Sequence, residues 1–314
     1  MKKVFIDGSA GTTGLRIFDR LRGRTDIQLL TLPESERKLE SSRKRLLNEA
    51  DVVFLCLPDD AAREAASWVE NPDTVVLDTS TAHRTAPGWC YGFPELSPVQ
   101  EARLRQAKRI AVPGCHASGF IALVYPLISA GLLAPDVLLS CYSLTGYSGG
   151  GKKMIADYES PDRPAHSKLD APKSYGLGLA HKHLPEMQKI SGLAHTPMFV
   201  PVVCDYYCGM QVLVPLDLTL AGTTAEQVAA GIAGYYKDAA TVKVHGLNET
   251  LPENGLYSNA MAGTDRMELY LTVNAAGDQM MLVSVFDNLG KGSSGAAVQC
   301  MNLMLGLEET KGLE

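Results

Sequence analysis

The chain has 314 residues, 46% of them hydrophobic and 20% charged, with a formal net charge of −6. That length accommodates two domains with buried cores, and the acidic balance argues against a nucleic-acid partner. Seven scattered cysteines speak against a disulfide framework and for a reducing, cytoplasmic compartment; the N-terminus turns strand-like too soon for a signal peptide, and no apolar run approaches the ~20 residues that span a bilayer, so no membrane is expected.

KKVFID (2–7) reads as a strand, and GTTGLRIFDRLRG (11–23) as a helix with Leu15, Phe18 and Leu21 on one face. IQLLTL (27–32), DVVFLCLP (51–58) and TVVLDTS (74–80) are short, continuous apolar runs of the kind buried on both faces of a parallel sheet. DDAAREAASWVE (59–70) is a helix between the last two. Strand, helix and strand in repetition imply parallel strands with right-handed crossovers, a Rossmann-like doubly wound α/β domain. SPVQEARLRQA (97–107) opens with a capping box, Ser97 and Gln100, and has Pro98 at the first helical position. RIAVP (109–113) is a further strand, followed by a helix from about His116 to Ala130 with Gly131 as its C-cap.

The pattern then changes. VLLSCYSLTG (137–146) is strand-like, and a helix begins near Leu184-Pro185. RMELYLTVNA (266–275) alternates strictly and, after Ala276-Gly277-Asp278, meets QMMLVSVFD (279–287) in a long antiparallel hairpin. The last apolar helix, 293–307, has to bury its surface, and a return to the first domain is expected. The plan is therefore residues 1–114 plus 288–314 as a dinucleotide-binding domain, and 115–287 as an α+β catalytic and oligomerisation domain with a largely antiparallel sheet. The hairpin strands suit the interface of a homo-oligomer, a dimer or a tetramer.

DGSAGTTGL (7–15) places Gly8, Gly11 and Gly14 between the first strand and the first helix, with Ser9, Ala10, Thr12 and Thr13 among them. Such a loop turns its N–H groups on an anion at a helix N-terminus and lets a pyrophosphate approach the backbone. The second strand ends TLPESERK (31–38). Glu34 suits a ribose 2′-hydroxyl, whereas Ser35, Arg37 and Lys38 suit a 2′-phosphate, which favours NADP(H); the same run also reads as an ordinary solvated charged segment.

AVPGCHASGF (111–120) sets Cys115 at the mouth of a helix. A free thiol titrates near 8.5, and a helix N-terminus favours its anion. Cysteine is often a small buried hydrophobe, but here the flanks are small or polar and leave room for a substrate. A proton-handling partner is sought among seven histidines. His116 is adjacent, yet neighbours at a helix start point in different directions; His181 and His183, in YGLGLAHKHLPE (175–186), precede a helix and can be aimed into a cleft. They lack a third ligand, and Cys204 and Cys208 lack a second pair, so no metal is expected. SLTGYSGGGKKM (143–154) offers Ser148, Gly149 and Lys152 as a nest for a carboxylate or phosphate.

With these residues assembled, the sequence resembles the N-acetyl-gamma-glutamyl-phosphate reductases, in particular their shorter, second type. The resemblance spans nearly the whole chain and rests on GSAGTTGLRI (8–17), LPESERK (32–38), ADVVFLCLPDDAARE (50–64), LDTSTAHRT (77–85), YGFPEL (91–96), PGCHASGF (113–120), TGYSGGGKKMI (145–155), YGLGLAHKHLPE (175–186) and DNLGKGSSGAAVQCMNLM (287–304). It implies a two-domain build shared with aspartate-semialdehyde dehydrogenase, and NADPH-dependent reduction of an acyl phosphate to N-acetylglutamate semialdehyde in arginine biosynthesis. It implies Cys115 as nucleophile through a thioester and His181 as acid/base, with His183 as the fallback. Asn288, Gly290 and Gly292 would lie by the nicotinamide, Pro58 and Ser80 would join the cofactor set, and Ser148, Gly149, Lys152, Tyr175 and His183 would hold the substrate. His116-Ala117-Ser118 departs from the Tyr-Pro-Thr-like run of the long type. Two rivals stand beside this reading: a sister reductase acting on aspartyl phosphate or a carrier-bound aminoadipyl derivative, and an NADP-binding redox sensor that reports through Cys115 without turnover.

Overall fold

The computed structural model describes residues 1–314, apart from the side chain of Glu253. The chain divides into two compact units, Met1–Gly114 with Ser293–Glu314, and Cys115–Gly292.

The first unit runs β1 (Lys2–Asp7), α1 (Thr12–Leu21), β2 (Ile27–Leu30), α2 (Glu40–Glu49), β3 (Val52–Leu55), α3 (Asp59–Ser67), β4 (Val75–Asp78), β5 (Cys90–Tyr91), α4 (Pro98–Gln106) and β6 (Arg109–Ala111). All its strands pair parallel, in the order β2-β1-β3-β4-β6-β5. Alternation sends Val4, Ile6, Phe54 and Leu77 to one face, where Ile17, Leu104 and Met301 cover them. Phe5, Val53, Leu55 and Val76 go to the other, under Leu46, Leu47 and Ala65. The sheet is thus doubly wound, as the pattern of apolar runs implies. β2 and β3 lie on opposite sides of β1, so the loop after β1 opens at the point where strand order reverses.

The second unit runs α5 (Cys115–Ser129), β7 (Ser140–Gly146), α6 (Gly151–Tyr158), β8 (Lys173–Ser174), α7 (Leu184–Ser191), β9 (Met198–Cys204), β10 (Met210–Asp217), α8 (Leu218–Ala221), α9 (Ala225–Tyr235), β11 (Val242–Val244), β12 (Met267–Val273) and β13 (Gln279–Phe286). Its sheet, β11-β12-β13-β10-β7-β9-β8, is mixed. The long hairpin is antiparallel, but β11 with β12 and β7 with β9 are parallel. α5 is buried nearly all round and packs on β10 and β13. A Cβ on Gly119 would lie 2.5 Å from Val212 Cγ2, so the helix backbone itself rests on the sheet. Pro126 has no N–H to offer the carbonyl of Ala122, and the hydroxyl of Tyr236 donates to that carbonyl instead, at 2.8 Å.

Several boundaries differ from the sequence reading. Helix α5 begins at Cys115 itself, not at His116. The return to the first unit falls at Ser293 rather than 288, because residues 288–292 are tied into the second: Asn288 bonds Gly209 and Ser148, and Gly292 N–H donates to Asp287 O. The C-terminal helix, α10 (Gly295–Met304), follows a wide π turn over Gly290–Ser294. The capping box of α4 forms only by half. Ser97 Oγ accepts from Gln100 N–H, but the Gln100 side chain donates to Tyr91 O. Part of the charged run after residue 38 is helical, as α2. Among the described residues no helix is long and apolar enough to cross a membrane.

Candidate active site

In the first unit, the loop between β1 and α1 is built by glycines. Gly8 has φ +87°, and a Cβ there would lie 2.3 Å from Cys56 O. Gly11 is the N-cap of α1, and its N–H donates to Gly8 O at 2.9 Å. A Cβ on Gly14 would lie 2.4 Å from that same oxygen. Only glycine permits these approaches, and they leave the helix N-terminus open. Beside the loop is a cavity of about 710 Å³ whose lining includes Gly8, Ser9, Ala10, Leu32, Leu57, Asp7, Glu34, Arg37, Lys38 and Arg43. A cavity with apolar and cationic lining, next to a cradle that any side chain would fill, fits an adenine nucleotide carrying an extra phosphate.

Of the expected cofactor residues, Gly8, Ser9, Ala10, Arg37 and Lys38 line this cavity, and Gly11, Thr12, Thr13 and Gly14 form the loop and helix start behind it. Thr13 Oγ1 lies 3.3 Å from Ser293 Oγ. Ser35 stands exposed on a short 3₁₀ turn, Glu34–Glu36, outside the cavity lining. Arg37 pairs with Glu34 at 2.5 Å, so the acid weighed for a ribose hydroxyl is already countered by a cation. Arg43, which the sequence reading left within a charged segment, reaches the cavity from α2 and pairs with buried Asp7 at 2.9 Å. Pro58 caps α3, exposed, just beyond β3. Ser80 is committed locally: its hydroxyl donates to Asp78 at 2.7 Å and accepts from Ala82 N–H at 3.1 Å.

In the second unit Cys115 is the first residue of α5, partly exposed. A Cβ on Gly292 would lie 2.9 Å from Cys115 Cβ, so the π turn packs directly on the thiol-bearing residue. Gly290 is equally constrained, with Thr264 O 2.1 Å from its Cβ position. Around the helix start gather the rings of His116, Tyr175, His181, His183 and Phe199. His116 bonds Ser143 Oγ through Nδ1 at 2.7 Å and the Tyr175 hydroxyl through Nε2 at 2.9 Å. Its ring lies 5.6 Å from that of His181 and 5.4 Å from that of His183. Burial, then the charges of His181 and Lys182, hold the His116 imidazole down at about 3. Burial and then the charge of Cys115 push the Tyr175 phenol upward.

His181 and His183 differ in setting. His183 is buried and caps α7. His181 is half-exposed, and its Nδ1 accepts the backbone N–H of His183 at 3.2 Å. Burial, then the Lys182 charge, lower its imidazole to about 4, so it is neutral at physiological pH. With Nδ1 occupied as an acceptor, the proton resides on Nε2.

The second glycine cluster is less open than its composition implies. The N–H groups of Gly146, Tyr147 and Ser148 already donate to the carbonyls of Gly209, Tyr206 and Tyr207. Ser148 is buried, and its Oγ accepts from Asn288 Nδ2 at 3.0 Å, while Asn288 Oδ1 accepts Gly209 N–H at 2.9 Å. Asn288 is therefore a brace between two loops. A Cβ on Gly149 would reach 3.4 Å from Thr145 Oγ1. Lys152 is exposed in the first turn of α6 and forms no ion pair among the described residues. The structure thus gathers Cys115, Tyr175, His181, His183 and Gly292 around the start of α5. Sequence reasoning passed over His116 and Ser143; the alternation of SLTG could have found Ser143, because it places that serine on the buried face.

Two family models match the chain: "Semialdehyde dehydrogenase, NAD binding domain" over residues 3–104, and "Semialdehyde dehydrogenase, dimerisation domain" over 115–288. A protein of Burkholderia cenocepacia named N-acetyl-gamma-glutamyl-phosphate reductase is 48% identical over 96% of this chain and 97% of its own length. One of Pseudomonas putida, named N-acetyl-gamma-glutamyl-phosphate reductase 2, is 46% identical over 98% of each. Among solved structures, aspartate semialdehyde dehydrogenase II of Vibrio cholerae superposes with a TM-score of 0.72 over 98% of both chains at 17% identity, a likeness of fold.

Proposed function

This chain belongs to the semialdehyde dehydrogenase family, in its N-acetyl-gamma-glutamyl-phosphate reductase branch, and on that footing we propose that it reduces N-acetyl-gamma-glutamyl phosphate to the 5-semialdehyde in arginine biosynthesis, with NADPH. The observation that carries the reading is Cys115 as the first residue of α5, with Tyr175, His181 and Gly292 gathered around the same helix start.

The Cys115 sulfur, favoured as thiolate by the N–H groups of the helix N-terminus, attacks the acyl carbon. A carbon–sulfur bond forms, the carbon–oxygen bond to phosphate breaks, and inorganic phosphate departs with that bonding pair. NADPH, when bound, supplies the hydride for reduction of the resulting thioester. The loop Gly8–Gly14 and the cations Arg37, Lys38 and Arg43 bind the nucleotide. His181 presents its proton on Nε2 to the carbonyl oxygen as negative charge gathers there, and takes it back as the carbon–sulfur bond breaks and aldehyde is released. Nδ1 cannot serve as the base while it accepts the His183 N–H, so ionisation of the thiol falls to the helix.

The chain also self-associates in this reading, through the outer face of the second sheet. Tyr142 and Met198, 47% and 60% exposed, share that face with Leu213 and Val283. A Tyr142→Asp, Met198→Asp variant would convert a dimer to a monomer by light scattering. All seven cysteines are free thiols, which suits a reducing compartment such as the cytoplasm.

The test of function is phosphate-dependent reduction of NADP with N-acetylglutamate semialdehyde, run beside aspartate semialdehyde. Turnover with the first that disappears without phosphate is expected. Turnover with aspartate semialdehyde alone, or cofactor binding without turnover on either, would refute the reading.

A further inference from the structure

We propose that Ser143 and His116 form a one-way hydrogen-bond relay that turns the hydroxyl hydrogen of Tyr175 away from the protein, so that Tyr175 donates a hydrogen bond to the oxygen of the acyl group held on Cys115. Ser143 and His116 are then positioning residues, and Tyr175 is the group that touches substrate. The inference rests on the reaction proposed above.

The argument is one of donors and acceptors. His116 is buried and its imidazole neutral, so it has one N–H and one lone pair for its two partners. Two arrangements are open. In one, Tyr175 donates to Nε2, and the Nδ1–H donates to Ser143 Oγ. In the other, Ser143 donates to Nδ1, and the Nε2–H donates to the Tyr175 oxygen.

Ser143 decides between them. Its side chain is fully buried on β7, and His116 Nδ1 is its sole side-chain partner among the described residues. In the first arrangement the hydroxyl hydrogen of Ser143 has no acceptor, a buried orphan donor that costs about 1–3 kcal/mol. In the second it is used. The proton of His116 therefore sits on Nε2.

Tyr175 then receives a hydrogen bond on its oxygen and keeps its own hydrogen free. Its hydroxyl makes no other hydrogen bond among the described residues, and the residue is partly exposed. It is held to the residue that follows Cys115, and its ring packs 5.7 Å from that of His181. The Nε2–H of His181 and the O–H of Tyr175 are thus two neutral donors beside one helix start, an arrangement suited to an oxyanion. Donation from His116 polarises the phenol further without ionising it.

The first measurement is 15N NMR of histidine-labelled protein near neutral pH, with His116→Asn assigning the resonance. A proton on Nε2 is expected; a proton on Nδ1, or an imidazolium, overturns the relay. This reading needs no turnover, so it stands or falls apart from the proposed function, which the phosphate-dependent assay tests alone. The second is a double-mutant cycle in that assay. Ser143→Ala should lower kcat by about tenfold, the size of one net hydrogen bond, with KM nearly unchanged, and Ser143→Thr should recover most of the loss. In a Tyr175→Phe background the same Ser143→Ala change should cost nothing more. An equal further loss there would mean that Ser143 acts on packing rather than through Tyr175.

Discussion

Gly292 packs against Cys115 with no room for a side chain: a Cβ built on it falls 2.9 Å from Cys115 Cβ and 3.1 Å from both Asp287 O and Phe286 Cε2. Neither backbone can yield readily, because α5 is buried against the sheet and the π turn is tied down through Asp287 and Asn288. Gly292→Ala should therefore displace the thiol and lower kcat by roughly a hundredfold, the scale set by an ångström of misplacement. Normal turnover in this variant would show that the sulfur position is not critical.

The covalent route makes Cys115 the residue that carries acyl group. Cys115→Ala should bind NADPH normally and lose turnover, and Cys115→Ser should be severely impaired because a hydroxyl is far less ionised than a thiol. Mass spectrometry gives the direct check: acyl phosphate added without reductant should increase the mass of the wild-type chain by one acyl group and leave Cys115→Ala unchanged.

The two histidines should separate by kind of damage. His181 is half-exposed with Nε2 available, so His181→Asn should reduce kcat by two to three orders of magnitude, roughly the contribution of a general acid, with little change in Tm. His183 is buried at the start of α7 and supports His181 through its backbone N–H. His183→Asn should lower Tm first and activity second. If the thermal melts are the reverse, the assignment of His181 as the proton carrier fails.

The legibility of the sequence followed the range of the forces involved. The longer strands of the first sheet could be located, though their ends were overrun by a few residues, because burial on both faces demands apolar runs such as VVFL; the two-residue β5 was too short to show. The hairpin of β12 and β13 was visible through its alternation. The parallel pairing of β7 with β9 was not, since it joins strands separated by the whole exposed excursion that carries Tyr175 and His181. Cys115 announced itself by its local setting. Its neighbour His116 did not, because its importance comes from Ser143 and Tyr175, 27 and 59 residues away. Arg43 was hidden similarly: a charged run looks solvated until its helix brings one arginine back to Asp7.

Preference for NADPH over NADH should rest on the cations that line the cavity. Arg37 is paired with Glu34, and Arg43 with Asp7, which leaves Lys38 the least committed. Lys38→Ala should weaken NADPH by about tenfold or more, as the loss of one charge-assisted contact, and leave NADH nearly unaffected. Glu34→Ala should act in the opposite sense for NADPH, because it frees Arg37 and removes a like charge. Isothermal titration with both nucleotides checks the pair, and equal losses for NADPH and NADH in Lys38→Ala would remove this account of the preference.

Stability should fall on mild acidification, through the same histidines. His116 and His181 are held at about 3 and about 4 in the folded chain, against an ordinary value of 6.5. The unfolded chain therefore binds more protons than the folded one below about 6.5, so the free energy of unfolding rises with pH there and levels off above it. Buried His116 contributes up to about 1.4 kcal/mol per pH unit well below its ordinary value, and half-exposed His181 contributes less. Carboxylates with lowered values, such as Asp26 beside Arg24 or Glu268 beside Tyr270 and His245, add slope of the same sign, but only below their ordinary 3.8 to 4.5. Denaturant melts between pH 6.5 and 4.5 thus isolate the histidines. A His116→Gln variant should show a shallower slope across that window than the wild type, whatever its absolute stability, because Gln cannot take up the proton. An unchanged slope would mean that His116 is not held neutral by burial.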